Sequence, residues 1–195
     1  PSSKEYAHDF LWRHYLAVPQ KGMIGIFNRS QYESVLVCKV HPEYNLSEKT
    51  WKSEKDFDEN FWDNRYESIV NFEKHLAQNG NTIVKIFLNV SKDEQKQRLI
   101  DRIDEQEKNW KFSAGDLPER ALFDEYMECY ETAINKTSKK KAPWYVFQPD
   151  KKWFARVEAI QIIIDTLEKM NLQYPTLSNE DKAELEMCKK QLENE

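Results

Sequence analysis

The pattern of apolar and polar residues predicts short strands that alternate with helices. An apolar run at residues 23–27 stops abruptly at the polar cluster Asn28, Arg29 and Ser30, and helical spacing follows over 31–40. Ligands of open α/β sheets bind beyond the carboxyl ends of strands, so this predicted strand tip is a candidate site. In the alternative interpretation the strand is simply buried, and Ser30 or Asn28 only caps the next helix.

The same periodicity predicts the other elements. Helices are expected at 4–18, 58–78, 92–103, 119–135, 152–170 and 177–195, and strands at 82–90 and 144–148. Apolar residues on both faces of 82–90 are typical of a central strand covered by helices on both sides. Asn79-Gly80 supplies a left-handed helix stop, and Ser91 with Glu94 forms a capping box. The order of elements predicts an α/β fold with a parallel sheet and right-handed crossovers.

Composition narrows the class of protein. The 195 residues are 39% hydrophobic and 32% charged, enough for one soluble domain with a sizeable core. Its four glycines lie at 22, 25, 80 and 115, so no GxxxxGK[ST] phosphate loop is present. Three widely spaced cysteines favour a reduced, cytoplasmic protein, and no apolar run approaches the roughly 18 residues of a membrane span. The chain begins with Pro1 rather than Met.

Charge is unevenly distributed. The net charge of −5 argues against a general nucleic-acid binder. The stretch 136–156, however, holds seven Lys or Arg residues and one acid, Asp150. Such a run is usually a solvated face, but a row of cations is also what a polyanion requires.

Three sets of residues could surround one transferred phosphate. The first is the strand tip with Glu33, and the second is Arg98 and Arg102, whose spacing puts both guanidinium groups on one helix face. The third is the basic stretch 136–156. Phosphoryl transfer consists mostly of positioning and charge neutralisation, so it requires several cationic donors and Mg²⁺ ligands around one cleft.

The chain closely resembles the polyphosphate kinase 2 family, P-loop enzymes that move phosphoryl groups between inorganic polyphosphate and nucleotides. The segments that carry the resemblance are HDFLWR (8–13), KGMIGIFNRSQYESVLV (21–37), DEQKQRLIDRID (93–104), WKFSAGDLPER (110–120) and APWYVFQPDKKWFARV (142–157). They are most similar to the subgroup that phosphorylates nucleoside mono- and diphosphates. The resemblance implies a P-loop-kinase-like parallel sheet flanked by helices, with a helical lid at about 92–122.

The resemblance also implies roles for single residues. Asn28 stands where many members have the Walker B aspartate, and Asn28 with Glu33 is assigned to Mg²⁺, its waters and the acceptor phosphate. Arg29 would neutralise phosphate oxygens, and Arg98 and Arg102 match lid arginines that stabilise the transferred group. The residues expected to bind substrate, besides Asn28, are Tyr32, Lys111, Lys139, Lys140, Lys151 and Lys152. In the alternative, structural interpretation of these residues, Glu33 pairs with a lysine, and Arg98 forms a surface salt bridge.

One departure from the family is serious, because the glycine-rich Walker A loop is absent. We therefore expect the C-terminal part of such an enzyme, lacking the first βα unit, with its α/β domain at 1–175 and a peripheral helix at 176–195. The first hypothesis is a Mg²⁺-dependent phosphotransferase acting on polyphosphate and AMP, ADP or ATP, assembled as a homodimer or homotetramer and inactive as this piece. It binds neither nucleic acid nor membrane. The second is a non-catalytic module that binds polyphosphate or nucleotide, or that oligomerises.

Overall fold

The computed structural model describes residues 1–194, in one unit over 1–155 and a second that begins at Arg156. Two strands are present in the described residues, β1 (Lys85–Leu88) and β2 (Trp144–Phe147). The helices are α1 (Ser3–Tyr6), α2 (Trp12–Leu16), α3 (Val37–Val40), α4 (Glu59–Gln78), α5 (Lys92–Asp104), α6 (Asp116–Ala121), α7 (Phe123–Thr137), α8 (Lys152–Lys169) and α9 (Asn179–Leu192). Short 3₁₀ segments cover Gln31–Val35, Pro42–Glu48, Glu54–Asp56 and Gln106–Lys111. None of the described helices is long and apolar enough to cross a membrane.

The two strands pair in parallel, as predicted. Lys85 lies opposite Trp144 and Leu88 opposite Phe147. Strand β1 is shorter than the predicted 82–90, and Leu88 is 53% exposed. The prediction of a central strand covered on both faces is wrong for the described chain, because β2 is the one strand there that hydrogen-bonds to β1.

The predicted strand at 23–27 does not form. Each residue of the segment is exposed, with Phe27 at 40% and Ile26 at 91%, and no strand of the described chain pairs with it. A strand is held by hydrogen bonds to a neighbour, so an apolar run without one remains irregular. The polar tip Asn28-Arg29-Ser30 consequently follows an exposed segment and not the end of a paired strand.

Three predicted helices are interrupted, and the one predicted at 119–135 is divided at Leu122 between α6 and α7. The helix predicted at 4–18 is split into α1 and α2, where a side-chain oxygen of Asp9 accepts the N–H of Leu11 at 2.9 Å. Such local bonds compete with the helical hydrogen-bond pattern. The helix predicted at 31–40 is a 3₁₀ turn followed by α3, with Leu36 between them at φ −111° and ψ −88°.

Helices α4 and α5 begin and end within one residue of the predicted bounds. An oxygen of Asp58 accepts the N–H of Phe61 at 2.8 Å to start α4, and Gly80, at φ +88°, follows its end. The hydroxyl of Ser91 caps α5 by accepting the N–H of Glu94 at 3.1 Å. The reciprocal half of the predicted capping box is absent, because the N–H of Ser91 donates instead to Asp150.

The core of the first unit lies where α4 and α7 pack against the 3₁₀ turn Gln31–Val35. Val35 and Ile69 are completely buried there. Phe61 and Trp62 add an aromatic cluster whose rings stand nearly perpendicular at 4.8 Å, a favourable geometry for aromatic pairs. The turn that follows the polar tip is therefore part of the core.

A buried ion pair crosses this core. Nζ of Lys85 lies 2.6 Å from Oε2 of Glu73, and the two side chains are 6% and 3% exposed. Burial raises the pKa of Glu73 and lowers that of Lys85, while their mutual attraction opposes both shifts. Each charge is therefore tolerated in the core because the other is present.

Removing one member of this pair should destabilise the protein strongly. Lys85→Met leaves Glu73 buried without a cation, and we expect the free energy of unfolding to fall by about 3–5 kcal/mol in urea denaturation. Lys108→Met, which breaks an exposed pair with Glu105, is the control and should change it by less than about 1 kcal/mol. Equal effects of the two variants would contradict the buried-pair account.

The bond between Asp150 and Ser91 gives the fold a predictable response to acid. The Ser91 N–H donates to Asp150 at 3.0 Å and holds the pKa of that carboxyl below its ordinary value. A carboxyl with a depressed native pKa contributes stability that is complete above the unfolded-state pKa, about 3.9 for Asp. That contribution is lost as the pH falls through the native pKa. An NMR titration should show the Asp150 carboxyl and the Ser91 amide proton changing together with a midpoint below about 3.9; a midpoint at or above that value would contradict the assignment.

Candidate functional site

The polar tip presents an arginine and a carboxylate side by side. Arg29 has φ +65°, in the left-handed region that residues other than glycine seldom adopt, and its side chain is 80% exposed. Its Nη1 lies 3.7 Å from Oε2 of Glu33. The Ser30 hydroxyl accepts the N–H of Tyr32 at 3.4 Å, so Ser30 is the capping residue that the alternative interpretation expected. The cap and the exposed guanidinium are compatible, because different residues supply them.

Glu33 is only partly accessible and lies close to other elements of the first unit. Burial raises the pKa of Glu33, and the charge of Arg29 opposes that shift. Burial also raises the pKa of Tyr130, and the negative charge of Glu33 adds to this effect. The ring of Tyr130 stacks on Phe87 of β1 at 4.1 Å. The tip is thus electrostatically coupled to the side chains that cover β1.

Tyr32, which the sequence assigned to substrate binding, lies inside the core. It is 3% exposed, and its hydroxyl lies 2.8 Å from Oε1 of Glu73 and 2.9 Å from Oγ1 of Thr137. The hydroxyl also accepts a hydrogen bond from Lys85 at 2.9 Å. Tyr32 therefore supports the tip from the core side, and its hydroxyl does not face solvent.

The two arginines of α5 both have protein partners. Arg98 donates to Glu94 and to the carbonyl oxygen of Pro149, each at 2.7 Å, so it lies at the carboxyl end of β2. Nη1 of Arg102 lies 3.2 Å from Asp116, which joins α5 to α6. The ion pair that the alternative interpretation expected for Arg98 is therefore present, although it does not exclude a second role.

The predicted lysines occur on both sides of β2 in the chain. Lys151 and Lys152 follow β2, whereas Lys139 and Lys140 precede it, and all four are exposed. The strand β2 that lies between the two pairs in the chain is itself roughly 13 Å long. Lys111 is also exposed, and its ammonium group lies 4.9 Å from the ring centre of Trp110.

Within residues 1–194, no cluster of three or more His, Cys, Asp or Glu side chains could hold a metal ion. An all-protein metal cage is therefore absent from the described chain. Mg²⁺ commonly needs only one or two protein oxygens, because substrate phosphates and waters complete its shell. Glu33, a partly accessible carboxylate, and Asn28, an exposed amide residue, are of the chemical type that such a site uses.

A large cavity in the described chain lies away from the polar tip. Its volume is about 660 Å³, and it is lined by the segment 6–10, by residues between Glu48 and Asp58, and by α4. None of the predicted site residues lines it. The Arg29 side chain of the tip is instead 80% exposed to solvent.

Sequence reasoning missed the charged residues that support the site. Glu73, Lys85 and Asp116 contact predicted site residues but were not identified. A signal was available for one of them, since Lys85 is the single charge within the apolar run 82–90. Lysine is almost never fully buried without a partner, so this position indicates a buried acid elsewhere.

The polyphosphate kinase 2 (PPK2) family matches residues 1–175 of this chain. The ADP-polyphosphate phosphotransferase of Rhodopseudomonas palustris is 47% identical over 192 residues, which cover 98% of this chain and 66% of that protein. The AMP/ADP-polyphosphate phosphotransferase of Meiothermus ruber is 46% identical over 175 residues, covering 90% of this chain and 61% of the relative.

A solved structure agrees with these relatives. The crystal structure of polyphosphate kinase 2 from Arthrobacter aurescens TC1 has a TM-score of 0.87 and 43% identity, covering 97% of this chain and 62% of that one. The chain thus spans about three fifths to two thirds of the length of the relatives it matches. Since the family match includes the polar tip, α5 and both strands, the chain belongs to the polyphosphate kinase 2 family.

Proposed function

We propose that this chain takes part in the Mg²⁺-dependent transfer of a phosphoryl group from inorganic polyphosphate to AMP or ADP. The observation that carries the proposal is the exposed Arg29 guanidinium, held in a left-handed turn beside the Glu33 carboxylate. Relatives that match nearly the whole chain are named as ADP- and AMP/ADP-polyphosphate phosphotransferases. The products would be ADP and ATP.

In this proposal the polar tip binds the reacting phosphates. The planar guanidinium of Arg29 presents several N–H donors to phosphate oxygens. The Asn28 amide and the Glu33 carboxylate orient the metal's waters and the acceptor phosphate. Bound Mg²⁺ would neutralise the charge that develops on the phosphate oxygens. Because phosphoryl transfer depends mainly on such positioning, the side chains need no covalent chemistry of their own.

The arginines of α5 act in the same reaction as a second source of positive charge. Arg98 and Arg102 are each half-buried or nearly so and paired with Glu94 and Asp116. To reach the transferred group, phosphate oxygens must replace these carboxylates. For Arg102 that exchange would break the pair with Asp116 that joins α5 to α6, which is the behaviour expected of a lid at about 92–122.

We expect the isolated chain to turn over very slowly or not at all. Its sequence contains no glycine-rich phosphate loop, so no series of backbone N–H groups of that kind cradles the nucleotide phosphates. A complete site would then need a loop supplied from outside the described residues. We further propose a cytoplasmic homodimer or homotetramer.

A non-catalytic binding module is the second candidate. The observation that favours it is the same absence of a phosphate loop, together with exposed lysines at both ends of β2. Such a module would bind polyphosphate through charge alone. Mg²⁺-dependent turnover separates the enzyme from this module.

The catalytic role of the tip is tested with polyphosphate, Mg²⁺ and ADP or AMP. The chain is assayed alone and joined to the third of the Rhodopseudomonas palustris relative that it does not match. We expect turnover in the joined protein, and a loss of about 10²–10³-fold in kcat with Arg29→Ala, as when other transition-state donors are removed. The matched control is Arg13→Ala, since Arg13 also forms a surface pair with a glutamate, Glu5, and should leave kcat within about twofold.

Two results would contradict the proposal. One is an unchanged kcat in Arg29→Ala, and the other is an absence of turnover in the joined protein. Both arginine variants should unfold within about 0.5 kcal/mol of the parent, because surface ion pairs contribute little, so folding cannot account for a difference.

Binding to polyphosphate should depend on salt, whichever candidate is correct. Association with a polyanion releases counterions, so log Kd should rise linearly with log salt concentration in a titration with long-chain polyphosphate. Lys151→Gln with Lys152→Gln should weaken binding and flatten that slope. The control is the double variant Lys182→Gln with Lys190→Gln on α9, which removes the same number of positive charges. If both double variants behaved alike, the lysines after β2 would have no specific role.

A further inference from the structure

We infer that the buried pair Glu73–Lys85 is a positioning device for Arg29 and Glu33, acting through Tyr32 and Gln31. The inference rests on the proposed function, in which Arg29 and Glu33 bind the reacting phosphates. Neither Glu73 nor Lys85 contacts solvent appreciably, so they act on the tip through other side chains.

The tip needs such support because the chain that leads into it is unanchored. Residues 21–29 are all exposed, and Gln31 and Tyr32 are the first buried residues after them. The Gln31 side chain donates to Oε1 of Glu73 at 3.2 Å, and the Tyr32 hydroxyl lies 2.8 Å from the same oxygen. One carboxylate oxygen therefore holds both residues that separate Arg29 and Ser30 from Glu33.

Lys85 fixes that carboxylate in turn. Its ammonium group donates to Oε2 of Glu73 at 2.6 Å, to the Tyr32 hydroxyl at 2.9 Å and to the carbonyl oxygen of Thr137 at 2.9 Å. An ammonium group has three protons, so this arrangement uses all of them. The ammonium and the carboxylate are thereby held on α4, β1 and α7, which are more regular elements than the tip.

The second strand is joined to the same network. The indole N–H of Trp144 donates to Oγ1 of Thr137 at 2.9 Å, and its ring meets the ring of Tyr32 edge-on at 4.7 Å between centres. A fully satisfied buried network of this kind has one low-energy arrangement, which makes it suited to hold a strained turn in place. The left-handed φ of Arg29 is the turn that it holds.

The chain offers a matched pair of tyrosines for the test. Tyr32 and Tyr66 are both 3% exposed, but the Tyr66 hydroxyl has no hydrogen-bond partner among the described residues. Tyr32→Phe removes the hydroxyl that joins the tip to both members of the pair and leaves the Gln31 link in place, whereas Tyr66→Phe removes a buried hydroxyl with no link. Both variants keep the ring and its packing.

Amide hydrogen exchange reports directly on the turn that follows the polar tip, and it does not require catalytic turnover. The Glu33 amide donates to Ser30 and the Leu36 amide to Glu33, so both report whether the turn is closed. We expect Tyr32→Phe to speed exchange at these two amides by about tenfold relative to the amide of Ile69, in the middle of α4. Tyr66→Phe should change that ratio by less than twofold. An unchanged ratio in Tyr32→Phe, or an equal change in Tyr66→Phe, would overturn the inference.

Kinetics in the joined protein distinguish positioning from general support. Tyr32→Phe should lower kcat by about tenfold while KM for ADP stays within about twofold, because orientation of the phosphate groups is lost and the nucleotide is still bound. A normal kcat beside faster exchange would overturn the positioning role. If the joined parent protein shows no turnover, the proposed function fails by itself, and the exchange ratios still decide whether the pair holds the turn.

Discussion

The structure of the first unit depends on two opposite charges that are buried together. Glu73 comes from α4 and Lys85 from β1, and each is tolerated in the core only because the other neutralises it. Hydrophobic contacts such as those of Val35 and Ile69 give the core its stability, but they allow small shifts in register. Hydrogen bonds with fixed donors and acceptors do not allow such shifts. The pair therefore specifies how α4, β1 and the turn after the polar tip fit together.

This arrangement places an exposed side chain and a buried supporting side chain within a few residues of each other in the sequence. Arg29 lies in solvent, where a phosphate can reach it, while Tyr32 three positions later is completely enclosed. The change from exposed to buried occurs at Ser30, whose hydroxyl begins the 3₁₀ turn. A site on an irregular segment is usually less precise than one on a helix or strand. Here the precision comes from the core immediately beneath the tip.

The local sequence pattern predicted the helices that are stabilised by interactions between neighbouring residues. Helix α4, its Asp58 cap and its Gly80 stop follow from the sequence, because caps and amphipathic spacing act over a few residues. The run 23–27 was predicted wrongly, since apolar character shows only that a segment can pair and not that a neighbouring strand is present. For the candidate site, the sequence supplied a list of residues whose roles stay predictions. The sequence alone could not show that Arg98 meets Pro149 or that Tyr32 points inward, because those contacts join positions 41 to 105 residues apart.

The exposed run 23–27 also bears on how the protein behaves in solution. MIGIF carries no charge and no proline, is rich in residues that favour extended structure, and lies open to solvent. Segments with this composition stack against copies of themselves as intermolecular strands when nothing covers them. The run that favours self-association thus lies next to the residues that we propose bind phosphate. A single charged residue placed at Ile26 would guard against aggregation only three residues from Arg29.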